Sequence, residues 1–139
     1  MSSETGQARR KILIADDAFD SRQLLSRLLR QFVDADIHEA RNGLMASQEY
    51  RMTRPQLVFL DIDMPERDGM EVLKEIRQED PKAFVVMVTG FSAVEKVQEA
   101  IALGVGGFVV KPYSAQRILD VLRKYVAETG DAELLLRGE

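Results

Sequence analysis

The side chains best placed for chemistry in this 139-residue chain are acids that cluster where apolar runs end. Asp16-Asp17 follows Lys11-Ile12-Leu13-Ile14-Ala15, Asp61 follows Gln56-Leu57-Val58-Phe59-Leu60, and Asp63 lies two residues further on. Thr89 closes a third such run, Phe84-Val85-Val86-Met87-Val88, and Lys111 closes a fourth, Phe108-Val109-Val110. Carboxylates crowded together raise one another's pKa, so they need either a shared proton, as in a general acid and base, or a counter-charge. A hard divalent cation with oxygen ligands provides that counter-charge, and the chain offers no cysteine and a single histidine to compete for softer metals. The donor set therefore suits Mg²⁺. A lysine and a threonine beside it suit the oxygens of a phosphoryl group, and the set reads as phosphoryl transfer onto a carboxylate, with Asp61 as acceptor on a middle strand.

Those positions make sense only if the runs are strands of one sheet. They are short, continuous and rich in β-branched residues, as strands buried on both faces are, whereas Asp36-Ile37-His38-Glu39-Ala40 alternates like an edge strand. Helical stripes lie between them: Leu24, Leu25, Leu28, Leu29 and Phe32; Leu44, Met45 and residues 46–50; Met70, Val72, Leu73 and Ile76; Val94, Val97, Ala100 and Ile101; Ile118, Leu119, Leu122 and Tyr125. Asp80-Pro81, Gly104 and Gly130 stop the third, fourth and fifth helices, and Ser92 with Glu95 reads as a capping box opening the fourth. Strands alternating with helices imply right-handed crossovers. The expected fold is α/β, a single-domain doubly wound (βα)5 sandwich with a parallel five-stranded sheet of order 2-1-3-4-5, flavodoxin-like. Ligands of such sheets bind beyond the carboxyl ends of the strands where the order reverses, which brings Asp16 and Asp17 beside Asp61 and puts Thr89 and Lys111 on the same rim. Residues 1–10 are expected as an N-terminal tail, 11–127 as the domain and 128–139 as a C-terminal tail with no output domain, whose Leu134-Leu135-Leu136 could extend a helix or cap another surface.

Composition narrows the class. Nineteen basic against 23 acidic side chains give a net charge of −4, and no basic block long enough to track a phosphate backbone occurs, so nucleic acid is not expected as a partner. No apolar run reaches a membrane span and the start lacks a signal-peptide core, so a cytoplasmic, non-membrane protein is expected.

Taken in order, Asp16-Asp17, Asp61 followed by Met64-Pro65 and Asp68-Gly69, Thr89, and Lys111-Pro112 resemble the CheY-like receiver domain of two-component response regulators, over residues 11–127. The resemblance implies a signalling domain rather than a turnover enzyme, one that catalyses its own phosphotransfer and autodephosphorylation. It would accept a phosphoryl group on Asp61 from a phosphohistidine of a sensor histidine kinase or histidine phosphotransfer protein. By the same resemblance Asp17, Asp61 and the backbone carbonyl of Asp63 would bind Mg²⁺ directly and Asp16 through water. Thr89 and Lys111 would grip the phosphoryl oxygens, and Thr89 with Phe108 would form a switch. The switch would report to a downstream protein on the face of the fourth helix, fifth strand and fifth helix; a phosphorylation-dependent homodimer stays open. Gly90 stands where the family usually has alanine, and the Asp63 carboxylate has no assigned task.

Plainer readings exist for each residue. Asp16 and Asp17 also suit a helix start, Pro65 and Asp68-Gly69 are turn residues, Thr89 and Phe108 are ordinary strand and core residues, and Lys111 suits a surface. His38, the single histidine, sits away from the rim and reads as structural, and Phe19 as a rim contact. The Asp-x-Asp at 61–63 also fits a haloacid dehalogenase-like phosphatase, but that family opens with this motif and places its acidic pair last. A receiver-like binding module without phosphorylation would normally lack one of the acids or the lysine, and here none is missing.

Overall fold

The computed structural model describes residues 9–90 and 94–136. Strands β1 (Lys11–Ala15), β2 (Asp36–Ala40), β3 (Leu57–Asp61), β4 (Phe84–Thr89) and β5 (Gly107–Val110) alternate with helices α1 (Phe19–Arg30), α2 (Gly43–Thr53), α3 (Gly69–Glu79), α4 (Val94–Ala102) and α5 (Ala115–Thr129). All strand pairs are parallel and the order is β2-β1-β3-β4-β5, the expected flavodoxin-like topology.

Every residue of β3 and β4 is buried, because helices cover both faces of the sheet's centre. Alternation along the strands divides the core. Leu13, Val58, Leu60, Val85 and Met87 pack with Ala46 and Tyr50 of α2, Leu73 and Ile76 of α3 and Ala100 of α4. Ile12, Ile14, Phe59, Val86 and Val88 pack on the other side with Leu25 and Leu29 of α1 and Ile118, Leu122 and Tyr125 of α5. The edge strand β2 keeps a polar, partly exposed pattern that discourages a sixth strand.

The ends of the helices are set by local chemistry. α3 stops at Glu79 before Asp80-Pro81, Gly130 closes α5 in the left-handed conformation at φ 77°, and Gly104 follows α4 at φ 79°. The Ser92–Glu95 capping box lies outside the described residues. Ile101 corrects the sequence pattern: it is 60% exposed, because a helix turns each next residue by about 100° and Ala100 takes the buried position.

The segment expected as a C-terminal tail from 128 covers a surface, one of the two roles its leucine triplet left open. α5 runs to Thr129, and Leu134, in a 3-10 turn, is fully buried. Asp34 N–H donates to the Leu134 carbonyl (2.7 Å) and Leu136 N–H to the Phe32 carbonyl (2.8 Å), a short antiparallel pairing with the segment that follows α1. Arg10 binds Asp131 (2.7 Å) and Arg9 binds Asp36 (2.8 Å), so the last residues of the expected N-terminal tail are tied down as well. Truncating Leu134 to alanine is expected to cost about 2–4 kcal/mol, read by urea denaturation; a loss within error of zero would show that the segment only rests on the surface.

Candidate functional site

The sheet's own hydrogen bonds set the rim. One further ladder bond extends three strands past their ends: Asp16 N–H to the Ala40 carbonyl (3.0 Å), Ile62 N–H to Val88 (3.0 Å) and Lys111 N–H to Thr89 (2.9 Å). Asp16, the Asp61-Ile62 peptide and Lys111 are thus carried on regular backbone rather than on free loops, which fixes where their side chains start. Behind Asp61, Gly69 N–H binds the Ile62 carbonyl (2.8 Å), and a Cβ at Gly69 would stand 2.1 Å from the Asp61 carbonyl oxygen, so only glycine lets α3 begin this close to the strand end. Asp68, expected as a turn residue, is the N-cap of α3 in a reciprocal capping box with Glu71.

Asp16, Asp17 and Asp61 each present a carboxylate oxygen, and these lie within 4.8 Å of one another. Asp16 is 1% and Asp61 5% exposed, while Asp17 stands open to solvent. The Lys111 ammonium bridges the two buried acids, 3.1 Å from Asp16 Oδ2 and 3.0 Å from Asp61 Oδ2. Asp61 Oδ1 accepts the Asp63 N–H (3.1 Å). Thr89 is 4% exposed and its hydroxyl donates to the Gly90 carbonyl (2.8 Å). Among the described residues, nothing stands within 4 Å of the place a Gly90 side chain would take. Phe108 is half-buried against the α2, α3 and α4 side of the core.

The two buried acids titrate apart. Burial pushes the Asp61 carboxyl up to about 6; the Lys111 hydrogen bond opposes this, and the neighbouring Asp16 charge adds to the rise. Burial also acts on Asp16, but the Ala18 N–H, the Ser21 hydroxyl and Lys111 outweigh it and hold that carboxyl below the usual range. Burial likewise disfavours the Lys111 ammonium, yet Asp61 and Asp16 together raise its pKa well above the ordinary value. The arrangement is one ammonium serving two carboxylates, with a third acid exposed alongside. Acids remain in excess, as suits a site that takes a cation.

Several contributors were invisible in the sequence. Tyr113 hydroxyl lies 3.0 Å from the Ser21 hydroxyl and donates to Asp16 Oδ2 (3.3 Å), and burial pushes the phenol up to about 12. Arg22 donates to the Asp16 carbonyl (2.9 Å) and to Glu39 (3.0 Å), pinning the turn after β1. Lys96 of α4 pairs with the Asp63 carboxylate at 3.5 Å, giving that acid the partner the sequence did not supply. A hydrogen-bonding residue two places after Lys111 was the available hint for Tyr113. Phe19 is 63% exposed on the rim, its ring 5.6 Å from the Arg22 guanidinium, and His38 lies on β2, outside the cluster.

Residues 12–123 match the family model of the response regulator receiver domain. The chain belongs to that family. It is 40% identical over 114 residues to the chemotaxis protein CheY of Listeria monocytogenes, covering 82% of this chain and 96% of that one. Sporulation initiation phosphotransferase F of Bacillus subtilis is 34% identical over 116 residues, covering 84% and 93%. Among solved structures, the receiver domain of AraT, a response regulator from Geobacillus stearothermophilus, superposes with a TM-score of 0.81 at 28% identity, covering 89% of this chain and 98% of that one. The protein is thus a CheY-like receiver domain of two-component signalling, a signalling domain whose family interacts with histidine kinases and downstream targets. Its acid cluster has the composition of a metal site.

Proposed function

We propose that this receiver domain accepts a phosphoryl group on Asp61 from the phosphohistidine of a sensor histidine kinase or a histidine phosphotransfer protein. The observation that carries the reading is the three-carboxylate cluster with Lys111 held 3.0–3.1 Å from two of its members. In the transfer an Asp61 carboxylate oxygen forms the bond to phosphorus while the phosphorus–nitrogen bond of the donor breaks, the imidazole nitrogen leaving with the electron pair. Asp17 and Asp61 through carboxylates, Asp63 through its carbonyl and Asp16 through water would hold Mg²⁺. Bound there, it would neutralise charge on the phosphoryl oxygens. Lys111 would release Asp61 to hold one of those oxygens. Thr89 would turn its hydroxyl away from the Gly90 carbonyl to hold another, and no described residue fills the space beside Gly90 that the group would need.

Phe108 sits where a change at Thr89 would be felt, since β4 and β5 are paired in register from Val86–Gly107 to Thr89–Val110. Its half-buried ring serves the core and, on this reading, also the switch. Moving it inward would reshape the α4, β5 and α5 face, where Ile101 and Val110 are already exposed, and bias an equilibrium that a downstream protein reads. No helix among the described residues is long and apolar enough to cross a membrane, and we assign the domain to the cytoplasm, where kinase phosphohistidines are formed.

The test is labelling with acetyl phosphate followed by intact-mass measurement. The expected result is a gain of one phosphoryl group with Mg²⁺ present and none in EDTA. No gain over a full time course with Mg²⁺ contradicts the proposal, and release of many equivalents of phosphate from a phosphoester would favour a phosphatase instead.

A further inference from the structure

Lys96 takes no part in the reading above. Together with Asp63 it lines a cleft of about 440 Å³ whose other walls are Asp17, Met64, Pro65 and Asp68, so its ammonium shares a solvent space with the exposed acid of the cluster. The 3.5 Å pair with Asp63 spans that cleft. Asp63 in turn is joined to the acceptor through its N–H on Asp61 Oδ1 (3.1 Å).

The helix that carries Lys96 is fastened. Arg77 of α3 donates to the carbonyls of Leu103 (2.6 Å) and Gly104 (2.7 Å), just past the C-terminal end of α4. Lys74 of α3 pairs with Glu99 of α4 at 3.0 Å. The ammonium is therefore presented to the cleft by a clamped element.

Charge arithmetic gives it a task. Acids outnumber cations around the cleft, with Asp17, Asp63 and Asp68 against Lys96. A cleft that must admit both a divalent cation and an anionic phosphodonor faces opposed demands, since each uncompensated carboxylate attracts the first and repels the second.

Taking the assignment of Asp61 as acceptor as given, we propose that Lys96 is a positioning residue that sets this balance through Asp63, weakening metal binding so that an anionic phosphodonor can approach. Lys96→Met removes the compensation. Measured with Mg²⁺ alone by calorimetric titration, the variant binds the ion about two- to five-fold more tightly. Measured with acetyl phosphate at saturating Mg²⁺, its rate of phosphorylation falls by about the same two- to five-fold. Lys96→Glu enlarges both changes, Lys96→Arg restores both, and both shrink in high salt because the groups are half-exposed.

Opposite signs are what separate this role from a structural one, because a loosened fold would weaken metal binding and labelling together. Parallel losses in Lys96→Met, or no change in either quantity while the unsubstituted protein is labelled normally, overturn the inference and leave the acceptor assignment intact. Failure of the unsubstituted protein to be labelled removes the acceptor assignment, and this inference falls with it.

Discussion

Asp61→Asn is expected to make the metal-free protein more stable at neutral pH while abolishing its phosphorylation. Asp61 is almost fully buried beside Asp16, and its carboxyl is pushed up from an ordinary 3.8 to about 6, so above that pH the fold holds a charge that its surroundings disfavour. The sign follows from proton linkage. Between about pH 4 and 6 the folded state keeps a proton that the unfolded chain releases, so stability falls as pH rises through that window and stays level above it. Asp16 works in the other direction and elsewhere: its lowered pKa contributes stability above the ordinary carboxylate range, lost only as pH falls below it. Asparagine keeps the shape of Asp61 without its charge. The variant should gain about 1–2 kcal/mol over the unsubstituted protein at pH 7.5 in EDTA and nothing at pH 4. Mg²⁺ should narrow the gap, because the unsubstituted protein alone holds it well: at ten times its Kd the ion adds about 1.4 kcal/mol. Urea denaturation across that pH range checks this, and a variant less stable than its parent at both ends would mean that the Lys111 pair, not the crowding of acids, dominates the site.

Lys111→Met should move neutral-pH stability the opposite way. The ammonium is the one cation in contact with Asp16 and Asp61 among the described residues, at 3.1 and 3.0 Å, and methionine keeps the aliphatic stem but leaves two buried carboxylates unpaired. Breaking such a pair one-sidedly costs about 2–4 kcal/mol at pH 7.5. The loss should shrink near pH 5, where Asp61 takes up a proton, and shrink again in Mg²⁺, which supplies the missing positive charge. Phosphorylation by acetyl phosphate should slow by about a hundred-fold or more, the scale seen when one preorganised donor to a developing charge is removed. Full neutral-pH stability in EDTA would contradict the pairing. So would undiminished labelling contradict the role given to the lysine.

The fold was readable because β1, β3 and β4 are buried almost throughout, so their sequences are unbroken apolar runs with few other interpretations; β5 has the same kind of run but is an edge strand, with Val110 42% exposed. The rim was readable for the same reason: Asp16, Asp61, Thr89 and Lys111 are the polar residues that end those runs, and the topology then sets the ends side by side. What the sequence hid were contacts that depend on how separate elements pack. Lys96 is 33 residues from Asp63 and meets it through the placement of α4 on α3. Tyr113 and Ser21 are 92 residues apart. The direction of the Thr89 hydroxyl is a rotamer choice that no spacing encodes. Leu134 covers a surface, one of the two roles open to its leucine triplet, whereas Ile101 leaves the apolar stripe. A lone apolar turn beyond the last helix gives no periodic signal to choose between those roles, and a residue next to a buried one on a helix counts as part of the stripe until the helix's rotation is known.

The claim on which the rest depends is that the phosphoryl group is carried by Asp61 itself. Borohydride reduction of the labelled protein, which converts a phosphorylated aspartate to homoserine, followed by peptide mass mapping, locates it directly. The account predicts homoserine at position 61 alone and none in Asp61→Asn. Modification at Asp16, Asp17 or Asp63, or labelling that persists in Asp61→Asn, would contradict it.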